Sequence, residues 1–143
     1  MIELNFQNVF KIKKEREYKL YVPILLENQI FKLGIYLWKY KGKVIKVGIF
    51  GEGVNSNSKT RYATYRTAGR NLYGYIFKNL TPNGSVKPMR VLNKKMKTGE
   101  KIEVEFAQIP NKVIWKDNLP FKVDLYALEE YYKQKYKDTL WLN

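Results

Sequence analysis

Four side chains able to move protons or to meet negative charge recur in a short span: Tyr36 and Lys46 on two adjoining strand-like segments, then Arg61 and Tyr65 on a following helical one. A fifth, Glu129, stands inside the apolar stripe that Leu125, Leu128, Tyr132 and Tyr136 make on a C-terminal helix, whereas Glu130 points about 100° away. A carboxylate in such a stripe is costly unless an ion pair or a metal compensates it. The chain contains no Cys and no His, which excludes thiol nucleophiles, disulfides, zinc fingers and imidazole acid–base chemistry. Catalysis must therefore use Tyr, Lys, Arg, Ser/Thr or carboxylates, and a metal would be an oxygen-ligated Mg²⁺ or Mn²⁺.

The elements that must position these groups follow from periodicity and punctuation. Met1 to Leu33 alternates apolar and polar residues and reads as a strand-rich extension; Gly34 to Tyr40 and Lys43 to Ile49 read as a hairpin around Lys41-Gly42. Parity matters here. A two-residue turn puts Tyr36 and Lys46 on opposite faces, so a shared substrate requires a three-residue loop that includes Lys43. Gly51 to Ser58 supplies caps for a helix from Lys59 to Gly69, on which Arg61, Tyr65 and Ala68 share a face and Arg66 lies to the side. Asn71 to Lys78 forms a further turn or short helix, Thr81-Pro82-Asn83-Gly84 a turn, and Ser85 caps a helix to about Lys97 with Pro88 in its first turn. Ile102 to Gln108 reads as a strand, Pro110 to Pro120 as a long irregular connection, and Lys122 to Tyr136 as the last helix. The order implies an α+β fold, a small mixed or antiparallel sheet flanked by helices.

Length and charge bound the rest. With 143 residues, 45% of them hydrophobic, the chain suits one compact domain, divided here into an extension over 1–33 and a main segment over 34–143. There are 27 Lys+Arg against 13 Asp+Glu, a formal charge of +14, which favours a polyanionic partner, nucleic acid first. Arg66, Arg70, Lys87, Arg90 and Lys94 lie on helical segments where they could hold phosphates without reading bases. No stretch approaches ~20 apolar residues and Met1 to Lys14 lacks an apolar signal core, so a soluble cytoplasmic protein without a membrane partner is expected.

Gly34-Ile35-Tyr36-Leu37, then Val44-Ile45-Lys46-Val47-Gly48, then Arg61 and Tyr65, then Glu129 with Tyr136, Trp141 and Asn143 beyond it, resembles in order the motifs of the GIY-YIG nuclease family, over roughly Gly34 to Asn143. Lys46 stands where the family's second tyrosine does, as in some of its small restriction enzymes, and Leu142 separates Trp141 from Asn143. The resemblance implies a GIY-YIG-like α/β sandwich and a metal-dependent DNA endonuclease, either a restriction enzyme or a repair, phage or mobile-element nuclease. It further implies that Glu129 holds one Mg²⁺ or Mn²⁺, that Arg61 stabilises transition-state charge, that Tyr36, Lys46 or both activate water, and that Tyr65 contacts phosphate or orients the water. Products with 5′-phosphate and 3′-hydroxyl ends, double-stranded DNA as partner, Asn143 among the DNA-contacting residues, and a homodimer or higher homo-oligomer complete the expectation. The alternative is a non-catalytic nucleic-acid-binding module that keeps the fold with an eroded site.

Overall fold

Alternating apolar residues at the start of the chain form the ten-residue strand β1 (Gln7–Arg16), which turns through Glu17 and Tyr18 into the short β2 (Lys19–Tyr21). The structure is a computed structural model describing residues 4–51, 57–81, 84–109 and 113–142. Next come β3 (Gly34–Tyr40), β4 (Lys43–Phe50), α1 (Ser58–Arg70), α2 (Leu72–Phe77), α3 (Val86–Lys95) and β5 (Lys101–Gln108). The chain finishes with β6 (Val113–Lys116), β7 (Leu119–Lys122) and α4 (Leu125–Lys135). Five strands make one antiparallel sheet in the order β2-β1-β5-β3-β4, and β6 with β7 makes a separate two-stranded ribbon. Because β1 pairs with β5, residues 4–33 share the sheet and core of the rest.

Strand alternation divides the core in two. On one face Phe10, Ile12, Tyr36, Trp38, Ile102, Val104 and Phe106 pack against α1 to α3 through Tyr65, Ala68, Leu72, Met89 and Leu92. Ile35, Leu37, Val44 and Val47 point to the other face, where α4 covers β3 and β4 with Leu128, Tyr132 and Tyr136. Gly69 lets α1 approach the sheet edge closely, since a Cβ there would press on the Leu20 carbonyl. No helix among the described residues is long and apolar enough to cross a membrane.

Several local expectations need correction. The segment expected to be irregular between Pro110 and Pro120 holds most of the β6–β7 ribbon, which runs on to Lys122 and is turned by Asp117 and Asn118, both at positive φ (52° and 62°) as a tight hairpin requires. Pro120 suggested a loop, yet it pairs with Trp115, one step from the turn-closing pair, at a position whose N–H points out of the ladder. The last helix starts at Leu125 rather than Lys122, because Asp124 caps it by accepting from the amides of Tyr126 (3.0 Å) and Ala127 (3.2 Å). Ser85 occupies the N-cap position of α3, but its hydroxyl makes no capping bond and donates instead to Thr64 Oγ1 at 2.9 Å, tying α3 to α1. Asn57 caps α1 through the Thr60 amide at 3.0 Å. Met1 to Glu3, most of the expected capping loop (52–56), the Pro82-Asn83 step, residues 110–112 and Asn143 lie outside the described residues.

Candidate active site

The β3–β4 hairpin solves its parity problem differently from the expected longer loop. Its turn is the two-residue Lys41-Gly42, both at positive φ (50° and 78°), closed by the Tyr40–Lys43 pair. On its own, that turn would set Tyr36 and Lys46 on opposite faces. The register runs Tyr36↔Gly48, Leu37↔Val47, Trp38↔Lys46 and then jumps to Lys39↔Val44, leaving Ile45 as an extra residue in β4. This β-bulge reverses the alternation and sets Lys46 opposite Trp38, hence beside Tyr36. The Lys46 ammonium is 6.0 Å from the centre of the Tyr36 ring and 5.8 Å from that of Trp38.

Tyr36 itself is buried and lies across β4 over Gly48, where any side chain would run into its ring and hydroxyl. From α1, Arg61 reaches the same ring, its guanidinium carbon 5.4 Å from the centroid, and Nη2 donates to the Ile49 carbonyl at 3.2 Å. One helical turn on, Tyr65 is 2% exposed and meets Trp38 edge-on at 5.4 Å and Phe10 at 5.8 Å. Burial, and next the adjoining Tyr36 phenol, push the Tyr65 hydroxyl well above the usual tyrosine range, with Arg61 acting in the opposite sense. Tyr65 is therefore a neutral hydroxyl at ordinary pH, suited to hydrogen bonding and not to proton abstraction.

Tyr36, Lys46, Arg61 and Tyr65 are thus brought together, with Gly48 beneath the Tyr36 ring. Glu129 is not part of that cluster. It sits on α4, on the other face of the sheet, with its side chain 18% exposed and its carboxylate 3.5 Å from the Lys133 ammonium, while Glu130 points to solvent. The two faces meet at β4, an edge strand of the sheet, where Ile49 packs its side chain with the α4 cluster and offers its carbonyl to Arg61. Among the described residues no group of three or more carboxylates could hold a metal. A hard cation here would draw fewer than three carboxylates from the described residues and complete its shell with water and substrate oxygens, which is ordinary for Mg²⁺.

Sequence reasoning missed two contributors. The Ile45 bulge has no compositional signature, and in the sequence Gly48 is only the last residue of the Val44–Gly48 motif, although it makes the seat for Tyr36. Further along the same edge, the Ile45 carbonyl accepts the amides of Trp141 (2.8 Å) and Leu142 (3.2 Å), so the C-terminal tail lies against β4. Arg66, Arg70, Lys87, Arg90 and Lys94 are all exposed on α1 and α3, helices that pack on the Tyr36 side of the sheet.

No protein-family description matches the chain, and no curated protein matches it by sequence. Solved structures do. A mutant of bacteriophage T4 EndoII superposes with a TM-score of 0.55 at 14% identity, over 92% of this chain and 88% of that one. The restriction endonuclease HPY188I in complex with product DNA gives a TM-score of 0.49 at 15% identity, over 92% of this chain and 76% of that one. The chain shares its fold with the phage protein.

Proposed function

We propose that the protein is a DNA endonuclease of the GIY-YIG type that hydrolyses phosphodiester bonds with the help of one divalent cation. The observation that carries the reading is the convergence of Lys46 and Arg61 on the Tyr36 ring where it lies over Gly48. The fold shared with phage EndoII supports it at the level of architecture, which by itself fixes no chemistry.

In this reading the scissile phosphate docks at the β4 edge, where the Arg61 guanidinium meets the charge that grows on the phosphoryl oxygens. Tyr36 or Lys46 takes a proton from the attacking water; the new P–O bond forms as the bond to the 3′ oxygen breaks. That oxygen leaves and takes a proton from solvent water, giving 5′-phosphate and 3′-hydroxyl ends. Tyr65, held neutral by burial, fixes the Tyr36 phenol. Glu129 would hold Mg²⁺ or Mn²⁺, which when bound supplies Lewis-acid stabilisation of phosphate charge.

Incubation with supercoiled plasmid in Mg²⁺ or in chelator tests this, with nicked or linear product expected only with the metal. A second reading, a binding module with an eroded site, is favoured by the position of Glu129 across the sheet and its pairing with Lys133. Tight DNA binding without cleavage of duplex, single-stranded or branched substrates would select that reading.

A further inference from the structure

Away from the candidate site, the β1–β2 turn carries a tyrosine in a conformation that tyrosine disfavours. Tyr18 has φ of 62°, in the left-handed region where a bulky residue is an outlier and Gly or Asn would sit more easily. The backbone there is held by a partly buried polar network. The Tyr18 amide donates to Asn93 Oδ1 at 2.7 Å, and Asn93 Nδ2 donates to Glu17 Oε1 at 3.0 Å. Lys14, only 4% exposed, places its ammonium on Glu17 Oε2 (3.0 Å) and on the carbonyls of Asn93 (2.6 Å) and Met96 (3.0 Å) at the end of α3. Burying a lysine this way is costly unless its protons are all placed, and here all three are.

What this network presents is an aromatic platform. The Tyr18 ring meets Phe77 edge-on at 5.0 Å and Tyr73 at 6.1 Å, and Tyr73 and Phe77 are 4.8 Å apart. Tyr73 and Phe77 nevertheless remain 52% and 53% exposed, on the short helix α2. Cations border the rings: Lys78 lies 5.9 Å from the Tyr73 ring centre, and Tyr18 shares a groove of about 470 Å³ with Arg90 and Lys94, and with Glu17, whose carboxylate is already held by Lys14 and Asn93.

We infer that Tyr18, Tyr73 and Phe77 form a stacking platform for the bases of single-stranded DNA, whose phosphates run onto Arg90 and Lys94. Flat apolar rings with flanking cations fit unpaired bases, which stack on any aromatic face, better than they fit a duplex whose bases face inward. A protein partner with an apolar surface would not call for the cations, and the net charge of +14 opposes a second copy of the chain. The inference refines the endonuclease reading and rests on its nucleic-acid part, directing the enzyme to DNA that carries unpaired nucleotides.

Fluorescence anisotropy with a labelled oligo-dT of about 15 nucleotides and a duplex of equal length, at one salt concentration, tests it. The double variant Tyr73→Ala, Phe77→Ala, which removes only half-exposed rings, is expected to bind the oligo-dT at least about tenfold more weakly and the duplex within about twofold of wild type. Tyr18→Gly, at ease in the same backbone conformation, should keep the fold and show the same selective loss. Unchanged oligo-dT binding in either variant, or an equal loss for duplex, overturns the platform. So does sedimentation showing a wild-type dimer that the double variant splits while its oligo-dT affinity stays put. Plasmid cleavage by the same preparations reads the endonuclease proposal separately, because absent cleavage in wild type removes that proposal and leaves the binding comparison intact.

Discussion

Gly48 shows how much a single hydrogen can decide. The Tyr36 ring occupies the space a side chain would take, so Gly48→Ala must displace the ring or the strand. We expect a loss of about 1–3 kcal/mol in urea unfolding, the usual penalty of overpacking, together with a fall in cleavage rate. Tyr36→Phe, which keeps the ring, should retain stability and lose rate only. Arg61 makes the complementary case. Its guanidinium faces the same seat, and Arg61→Ala is expected to slow plasmid cleavage by about two to three orders of magnitude, roughly 3–4 kcal/mol of transition-state stabilisation. Duplex affinity, followed by anisotropy, should fall much less. Equal losses in rate and binding would make Arg61 an anchor for DNA and not a catalytic group.

At the scale of elements, α4 poses the sharpest question because it offers two adjacent carboxylates in different surroundings. Glu129→Gln is expected to abolish metal-dependent cleavage while thermal melting and duplex binding stay near wild type, and Glu130→Gln to change little. The opposite result would assign the metal to the exposed carboxylate, and activity in both variants would place it elsewhere. A second test concerns the β3–β4 turn, which Glu100 ties down by accepting from the Tyr40 hydroxyl (2.6 Å), the Lys97 amide (2.8 Å) and the Lys41 ammonium (3.0 Å). Tyr40 first, then Lys97 and Lys41, hold the Glu100 carboxyl down at about 2, below its ordinary 4.5. A carboxyl depressed in the folded state stabilises fully above its unfolded value and loses that contribution as pH falls through the folded one. Wild type should therefore exceed Glu100→Gln in melting temperature above about pH 5, with the gap closing between 4.5 and about 2. Much of this layer was legible in the sequence. The start of α1 after the capping segment Gly51 to Ser58, the Arg61–Tyr65 spacing and the stripe containing Glu129 each follow from local periodicity or capping, and they fall within a residue or two of where the structure has them. The Ile45 bulge and the β6–β7 ribbon were not legible, for different reasons. A bulge is a pairing property of two strands and leaves no mark on one of them. In the ribbon, Pro120 spoke for a loop, and only the partner strand reveals that its missing N–H would face outward.

For the molecule as a whole, the excess of cations, with Arg66, Arg70, Lys87, Arg90 and Lys94 exposed on α1 and α3, sets the expected binding law. If about six phosphates are neutralised, log affinity for duplex should fall with log salt at a slope near −0.9 per contact, a loss of about a thousandfold between ~50 and ~200 mM salt. An anisotropy titration that is flat in salt would remove the basic surface from the account. The sheet as a whole has a further vulnerability, because both of its margins are strands. One margin, β2, has three residues and offers little to join; the other, β4, has eight. The tail amides of Trp141 and Leu142 on the Ile45 carbonyl occupy part of that longer margin. A chain ended at Thr139 would leave that stretch free to recruit the strand of a neighbouring molecule. Such a protein should keep its far-ultraviolet spectrum when dilute yet scatter light as it is concentrated, which would make Trp141 and Leu142 a stopper against strand-to-strand polymerisation.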